Sequence, residues 1–369
     1  MKPRYALLAA VLFAFTGGCT TMKTETGTPF QELPANALQP VGRYQVNNAQ
    51  NLELITSAAH VGFSFEGPEA RVIASAPWAG GHTYLQYEVD GAYQKRVRID
   101  GLQDTVVISA PAGGKHTVWL YKTTEAHTGA LVLEKVLGPN LTAVKRQEAP
   151  LIEFIGNSIT CGAAADPSEV PCGTGEYHDQ HNAYMAYGPR VARAVKANFV
   201  LSSVSGYGAY RNWNNNGPAL PQVFEKIDFQ AKNTQRWDFT KFTPQIVSIA
   251  LGTNDFSDGD GKNPRLPFDS ASFVQAYVSF VKNVKSHYPK ARITLLSSPM
   301  LNGPKRQKLE NCLTAIKQQV DASYLADKPV AVFFFKPMQA TGCTGHPSVA
   351  EHGVMAQEVT PFFQGLLKQ

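Results

Sequence analysis

Four residues in the second half of the sequence have the chemical types that acyl transfer requires, and each follows a strand-like apolar run. They are Ser158, Gly206, Asn254 and His346. A serine hydroxyl becomes a nucleophile when a nearby base, such as a histidine, accepts its proton. The oxyanion that then forms needs preorganised N–H donors. A hydroxyl, a glycine turn, a carboxamide and an imidazole are therefore typical of a serine-dependent acyl hydrolase.

Each of these residues also has an ordinary structural interpretation. Ser158 could be a turn or cap residue, and Asn254 could cap a helix. Gly206 could satisfy a backbone torsion, and His346 could be a hydrogen-bonded structural histidine. Their joint appearance, in order and each after a strand, favours catalysis.

The elements that must position these residues lie after Pro150, where apolar runs alternate with helix-length amphipathic segments. The runs cover residues 151–155, 199–204, 246–251, 293–296 and 330–335. Helical spacing recurs at Phe273, Tyr277, Phe280, Val281, Val284 and Tyr288, and again at Leu309, Cys312, Leu313, Ile316 and Val320. Nearly continuous apolar strands separated by helices predict a parallel sheet covered on both faces. Ligands bind such sheets beyond the carboxyl ends of the strands, where the four residues lie.

The first part of the chain has a different texture. Between residues 41 and 145, short alternating runs such as Val61-Phe63-Phe65 and Leu85-Tyr87-Val89 are separated by glycine-containing turns. This spacing predicts an antiparallel β-sandwich. We place the sandwich at residues 41–147 and the α/β domain at 148–369.

The segments GNSIT, SGYG, GTND and a late His-Pro resemble the four sequence blocks of the SGNH (GDSL-type) hydrolases, over residues 150–369. Asn157 stands where Asp is commoner. With a β-sandwich ahead of it, and with IEFIGNSITCG, NAYMAYG, ALGTNDF and GHPSVAEH, the chain is similar to carbohydrate esterase family 2. The resemblance implies an antiparallel jelly roll followed by a three-layer α/β/α domain with a parallel five-stranded sheet. It also implies removal of acetyl groups from plant polysaccharides such as xylan or glucomannan.

The resemblance assigns roles to the four residues. It implies that Ser158 is the nucleophile, that His346 is its base, and that Ser158 N–H, Gly206 N–H and the Asn254 side chain form the oxyanion hole. The general SGNH pattern has Asp three residues before the histidine, where this sequence has Cys343. The family resemblance implies a Ser–His dyad in which a backbone carbonyl holds the imidazole. Gly345 stands where some relatives carry a Trp that packs against the sugar.

Two aromatic residues after the second strand could stack on a sugar ring. They are Tyr210, which lies four residues past Gly206 and is the preferred sugar contact, and Trp213, with Tyr177 as a further possibility and plain packing as the alternative. The pair His178-x-x-His181 has no carboxylate-rich helical context, so we interpret it as a surface loop rather than a metal site. We expect neither a metal nor an organic cofactor.

Five cysteines occur in the sequence. Leaving Cys19 aside, the even number in an exported protein permits two disulfides with three possible connectivities. We prefer Cys161–Cys172, which closes a short loop, with Cys312–Cys343 as the second bridge.

The N-terminus has the features of an export signal. Lys2 and Arg4 precede an apolar run over residues 5–15, and small residues lead to Cys19, which predicts a signal peptide over 1–18. Cys19 after two glycines resembles a bacterial lipobox, so we expect a lipid anchor in the outer membrane or at the cell surface. The alternative is ordinary cleavage with Cys19 incidental. The polar, Pro-containing residues 19–40 predict a tether.

Composition excludes several classes of protein. Among 369 residues, 43% are apolar, which suits a packed core and excludes a disordered or collagen-like chain. The charged fraction is 17%, the net charge is +5 and no run of Lys and Arg occurs, so we expect no nucleic-acid partner. We expect a monomer that acts on acetylated polysaccharide. Two competing hypotheses are an SGNH lipase or thioesterase with a longer acyl chain, and a non-catalytic carbohydrate-binding lipoprotein.

Overall fold

The protein folds into two domains whose interface combines apolar packing with buried polar groups. The structure is a computed structural model that describes residues 29–78, 81–111, 113–262 and 264–369. The predicted signal peptide at 1–18 and the predicted lipidation site Cys19 lie outside the described residues. In the part of the chain that is described, no helix is both long and apolar enough to cross a bilayer.

The N-terminal domain consists of two antiparallel sheets packed face to face. Its strands are β1 (Gln31–Pro34), β2 (Tyr44–Val46), β3 (Leu52–Leu54), β4 (His60–Glu66), β5 (Glu69–Ser75), β6 (His82–Val89), β7 (Ala92–Asp100), β8 (Asp104–Ser109), β9 (Lys115–Lys122), β10 (Leu131–Gly138) and β11 (Thr142–Val144). One sheet has the order β2-β3-β10-β5-β8, with β1 also paired to β10, and the other has the order β11-β4-β9-β6-β7. The predicted sandwich is confirmed.

Alternation along the strands builds the core of the sandwich. Val61, Phe63 and Phe65 on β4 are fully buried, and they pack with Val118 and Leu120 on the paired strand β9. Because successive side chains of a strand point to opposite faces, this period of two places one apolar face of each sheet against the other.

The boundary predicted at residue 40 is too late. Residues 31–34 form β1, which pairs antiparallel with β10, and Ala35 and Leu38 are buried in the sandwich core. The predicted tether over 19–40 is therefore wrong for its last ten residues. The segment is polar at its exposed positions, and only pairing with a distant strand makes it ordered.

The C-terminal domain has a five-stranded parallel sheet. Its strands are β12 (Leu151–Gly156), β13 (Asn198–Ser203), β14 (Ile246–Ala250), β15 (Arg292–Leu296) and β16 (Ala331–Phe333), in the order β13-β12-β14-β15-β16. Its helices are α1 (Ser158–Cys161), α2 (Tyr187–Ala194), α3 (Leu220–Val223), α4 (Ser270–His287), α5 (Gly303–Ser323) and α6 (Val349–Leu367). Helices α4 and α5 pack with β14 and β15 in one core, while α2 and α6 pack in another with β12 and β13. The predicted three-layer α/β/α arrangement is confirmed.

The register of the sheet brings three of the candidate residues to one edge. Gly156, the last residue of β12, pairs with Ser203 of β13 on one side and with Ala250 of β14 on the other. Because the strands are parallel, the segments that carry Ser158, Gly206 and Asn254 leave the sheet side by side.

Arg43 of the sandwich domain is buried between the two domains. Its Nη1 donates to the backbone oxygens of Phe224 and Lys226, each at 2.6 Å, and its guanidinium lies 4.2 Å from the ring centre of Phe229. Burial lowers the pKa of Arg43 to about 10, so the group stays charged at neutral pH. These contacts attach the first part of the sandwich domain to the loop that follows α3.

We predict that Arg43→Ala lowers the free energy of unfolding by about 3 kcal/mol, because two buried carbonyls lose a charged donor. The matched control is Arg71→Ala. Arg71 is half exposed in an ion pair with Glu69, and its loss should change the stability by no more than about 1 kcal/mol. Denaturant unfolding followed by tryptophan fluorescence measures both, and equal stabilities of the two variants would refute this role for Arg43.

Candidate active site

Ser158 is the first residue of α1, directly beyond the central strand β12. Asn157 caps this short helix, since its Oδ1 accepts the N–H of Ile159 at 3.1 Å. The helix ends at Gly162, whose φ of +67° lies in the left-handed region that glycine adopts without strain. Ser158 is only 7% exposed, so its hydroxyl is held at the sheet edge by a tight strand-turn-helix segment.

Gly206 lies on the loop over residues 204–213, which we call the oxyanion loop. Its φ is +79°, and a Cβ added there would meet nothing within 4 Å. The position therefore needs glycine for its backbone conformation rather than for space. The carbonyl of Gly206 accepts the N–H of Trp213 at 2.8 Å, which closes the loop on itself.

Asn254 follows β14 and is 7% exposed. Its Nδ2 donates one hydrogen to the carbonyl of Tyr207 at 2.8 Å, and the amide carries a second hydrogen. Its own backbone oxygen accepts Nη2 of Arg265 at 2.7 Å. Asn254 is thus oriented towards the oxyanion loop with donor capacity remaining.

Asp255 fixes the rest of the oxyanion loop. Its carboxylate is fully buried and accepts the N–H groups of Ala209, Tyr210 and Arg211 at 2.9 to 3.2 Å. Burial raises the pKa of Asp255, against the opposing effect of these N–H groups. Asp255 is not among the site residues predicted from the sequence, although its position directly after Asn254 in the GTND segment could have indicated a role beside the site.

His346 lies on the loop over residues 341–348, which we call the histidine loop. Burial lowers the pKa of His346, while backbone hydrogen bonds with Cys343 and Thr344 raise it, and the net shift is downward. The ring Nδ1 is also 3.1 Å from Thr344 Oγ1. The imidazole is therefore neutral near pH 7, as a general base must be.

Backbone hydrogen bonds tie the histidine loop to the segment that follows Ser158. The N–H of Cys343 donates to Ala164 at 2.9 Å, and that of Val349 donates to Ala165 at 3.0 Å. Glu351 of α6 closes the loop, because its carboxylate accepts the N–H of Thr341 and of Ser348. His346 and Ser158 are thus held on adjoining segments.

Comparison with known proteins identifies this two-domain arrangement. Residues 40–146 match the model of the carbohydrate esterase 2 N-terminal domain, and residues 154–342 match the GDSL-like lipase/acylhydrolase family. The chain belongs to carbohydrate esterase family 2. Membership of this family makes it a carboxylic ester hydrolase.

Two curated relatives and one solved structure give the extent of the likeness. The chain is 32% identical over 337 residues to the cellulase/esterase CelE of Acetivibrio thermocellus, which covers 86% of this chain and 38% of that protein. It is 26% identical over 334 residues to an acetylxylan esterase/glucomannan deacetylase of Cellvibrio japonicus, covering 88% of this chain and 87% of the relative. A family two carbohydrate esterase from Clostridium thermocellum in complex with cellohexaose has a TM-score of 0.78 and 28% identity, covering 92% of this chain and 99% of that one.

The preferred disulfide pairing is wrong. Cys172 is bonded to Cys343, whereas Cys161 and Cys312 are buried free thiols. Cys161 lies in α1, where its Sγ donates to Ser203 Oγ at 3.2 Å, and Cys312 packs within the core face of α5. Sequence separation favoured a short loop, but the tertiary fold brings Cys172 to a cysteine 171 residues away. Cys343 of this bridge lies three residues before His346, where the general SGNH sequence pattern has an Asp.

The two aromatic residues predicted to contact sugar have different surroundings. The ring of Tyr210 packs against Phe268 and Phe273, and its hydroxyl accepts the N–H of Asp269 at 3.2 Å. These contacts favour a packing role for Tyr210 over a sugar contact. Trp213 is 46% exposed on the oxyanion loop.

Tyr177 lies closer to the catalytic base than sequence reasoning indicated. Its ring centre is 6.3 Å from that of His346, and its hydroxyl is 3.2 Å from Ser205 Oγ. With 40% exposure, it spans the space between the histidine loop and the oxyanion loop.

The surface-loop interpretation of His178-x-x-His181 is wrong for His181, whose side chain is completely buried, and the two histidines have separate partners. His181 contacts Glu125, whereas His178 joins His82 and Asp179 in the one ligand-capable group within the described residues, with ligand atoms within 4.8 Å of one another. The Asp179 carboxylate already accepts the hydroxyl of Tyr84 at 3.0 Å and is bonded to His82. These hydrogen bonds account for the group, and we assign no metal to it.

We predict that Cys172→Ala lowers the stability by about 2–5 kcal/mol and reduces kcat, because the histidine loop loses its covalent anchor. The matched control is Cys312→Ala, which removes a free thiol distant in sequence from that loop. Thermal unfolding and acetate release measure the two effects. Peptide mapping after alkylation tests the pairing itself, and a Cys312–Cys343 peptide would contradict it.

Proposed function

We propose that this protein is an exported serine esterase that removes O-acetyl groups from plant cell-wall polysaccharide. One observation carries the proposal. The segments with Ser158, Gly206 and Asn254 follow the ends of adjacent parallel strands, and the histidine loop is hydrogen-bonded to the segment after Ser158. The names of the relatives support acetylated xylan or glucomannan as the substrate.

The reaction proceeds through an acetyl-enzyme. His346 accepts the proton of the Ser158 hydroxyl as the serine oxygen attacks the acetyl carbonyl. The tetrahedral intermediate collapses, the sugar alcohol leaves with the proton from His346, and the acetyl group stays on Ser158. Water, activated by the same imidazole, then releases acetate and restores the serine.

The oxyanion is stabilised by donors that are fixed before the substrate arrives. The N–H of Ser158, the N–H of Gly206 and the second hydrogen of the Asn254 amide form the hole. Asp255 and Tyr207 support it, because they hold the loop and the amide in place. One such donor contributes about 3–4 kcal/mol to transition-state stabilisation in comparable sites.

His346 works in this proposal without a side-chain acid. The position three residues before it is Cys343, which is engaged in the disulfide. The backbone of Cys343 and Thr344 raises the pKa of His346 and so favours the protonated imidazole, and the Thr344 Oγ1 atom, 3.1 Å from Nδ1, helps to orient the ring. The active centre is therefore a Ser–His dyad.

Two exposed aromatic residues are the proposed sugar contacts. Trp213 lies on the oxyanion loop, and Tyr177 lies beside His346. Aromatic rings present flat apolar faces that suit the C–H face of a pyranose. The export route rests on residues 1–18 and lipidation of Cys19, as the sequence predicts.

We predict that the wild-type enzyme releases acetate from acetylated xylan or glucomannan and that Ser158→Ala abolishes the release. Asn254→Ala should retain weak activity, with kcat lowered about 10²- to 10³-fold, because one oxyanion donor is lost. Arg71→Ala is a surface control with unchanged kcat. Acetate assays on a panel of acetylated glycans, with NMR assignment of the deacetylated hydroxyl, give the result.

The same experiment separates the alternatives. If wild type and Ser158→Ala are equally inactive on all esters but bind glycan, the protein is a carbohydrate-binding module. If a series of p-nitrophenyl esters peaks at octanoate rather than acetate, the acyl specificity is that of a lipase. Either result overturns the acetylesterase proposal.

We predict that activity falls on the acid side with a midpoint below pH 6.5. Burial lowers the pKa of His346 below its ordinary value of 6.5, so the neutral base persists to lower pH and is lost only as pH falls through the lowered pKa. The dependence of kcat/KM on pH, followed by acetate release, measures this midpoint. A midpoint above pH 6.5 would contradict the prediction.

A further inference from the structure

Glu125 belongs to the sandwich domain yet lies beside the catalytic apparatus of the other domain. It follows β9 and precedes a 3₁₀ turn at Ala126–Thr128, and its side chain is completely buried. A buried carboxylate is costly unless every oxygen is satisfied. The identity of its partners therefore indicates what the residue does.

One set of partners is the oxyanion loop. The Glu125 Oε2 accepts the backbone N–H of Ser205 at 2.7 Å, and Oε1 accepts the hydroxyl of the same serine. Ser205 directly precedes Gly206, whose N–H is one of the proposed oxyanion donors. Two charge-assisted hydrogen bonds thus fix the backbone one residue before that donor.

The other set of partners leads to the histidine loop. Glu125 Oε1 accepts Nε2–H of His181 at 2.9 Å, which leaves His181 Nδ1 to accept the N–H of Ala164 at 3.2 Å. The carbonyl of Ala164 in turn accepts the N–H of Cys343 at 2.9 Å. One carboxylate is therefore linked to both loops.

The charged and titratable groups around this carboxylate keep it ionised. Burial raises the pKa of Glu125, but His127 and the hydrogen bonds from His181 and Ser205 hold it far below its ordinary value. The amino group of Lys122, also buried, donates to the backbone oxygen of Glu125 at 2.6 Å, and burial lowers the pKa of Lys122 to about 7. The remaining titratable groups that face Glu125 are Cys161, Tyr177 and His346.

We propose that Glu125 is a positioning residue through which the sandwich domain sets the oxyanion loop and the histidine loop of the esterase site. This inference rests on the proposed esterase function. The sandwich domain then helps to build the esterase site, since its carboxylate is hydrogen-bonded to the oxyanion loop and reaches the histidine loop through His181 and Ala164.

The charge of Glu125 has a second effect on the reaction. Its negative charge favours the protonated form of His346, whereas neighbouring His181 disfavours it. Protonated His346 is the state that follows serine attack, so the distant carboxylate assists the base as the reaction proceeds. A purely structural residue would not change the titration of His346 in this way.

The test is Glu125→Gln with Glu88→Gln as the matched control. Glu88 is also a buried glutamate of the sandwich domain that bonds across the interface, since Tyr184 donates to its Oε1, but it is not bonded to either loop. In Glu125→Gln, an amide replaces an oxygen that accepts from His181 and Ser205. We expect kcat for acetate release to fall about 10- to 100-fold with KM within twofold, and the acid midpoint of kcat/KM to move to lower pH.

Two further variants make the test decisive. Glu125→Asp keeps the charge and should restore the pH midpoint while kcat stays reduced. Ser205→Ala removes the hydroxyl that donates to Oε1 and that also lies 3.2 Å from the Tyr177 hydroxyl, and it should lower kcat several-fold. This variant decides the outcome if Glu125→Gln does not fold.

Failure of this inference is distinct from failure of the esterase proposal. If wild type is active but Glu125→Gln matches Glu88→Gln in both kcat and pH midpoint, Glu125 is structural and the inference is overturned. The same holds if Glu125→Gln does not fold and Ser205→Ala has wild-type kcat. If wild type itself releases no acetate, the proposed function has failed instead.

Discussion

Gly156 at the end of β12 is in register with Ser203 on one neighbouring strand and Ala250 on the other, and this pairing controls where the proposed catalytic groups lie. Three segments leave the sheet from adjacent parallel strands, so the residues they carry lie near one another at the same edge of the sheet. The apolar cores on both faces of the sheet maintain that register. A one-residue slip of β12 would turn its side chains to the opposite face and move Ser158 away from its partners.

The interface between the domains contains buried charged groups as well as apolar contacts. Arg43, Glu88 and Glu125 of the sandwich are buried, and each is hydrogen-bonded to the α/β domain. Buried charges cost free energy unless they are fully paired. Because each charge meets its partner in only one arrangement, these groups favour one relative orientation of the domains. That orientation is what allows a carboxylate of one domain to serve loops of the other.

The histidine loop compensates for the acid that it lacks. A disulfide, the backbone hydrogen bonds to Ala164 and Ala165 and the Glu351 carboxylate restrict its movement. Thr344 adopts a φ of +52°, a conformation that non-glycine residues rarely hold without such support. In the proposed mechanism, a rigid backbone and the Thr344 hydroxyl thus replace a side-chain acid as the means of orienting His346.

The sequence by itself determined the two fold types, the strand ends that carry Ser158, Gly206 and Asn254, and the family, because strand and helix periodicities and local motifs are encoded over short stretches of chain. It did not determine the Cys172–Cys343 bridge, the role of residues 31–38 in the sandwich, or the contact of Glu125 with Ser205 and His181. These depend on segments far apart in the chain, and no local pattern records which distant partner a cysteine, an edge strand or a buried carboxylate will meet. Only the packing of the two domains decided them.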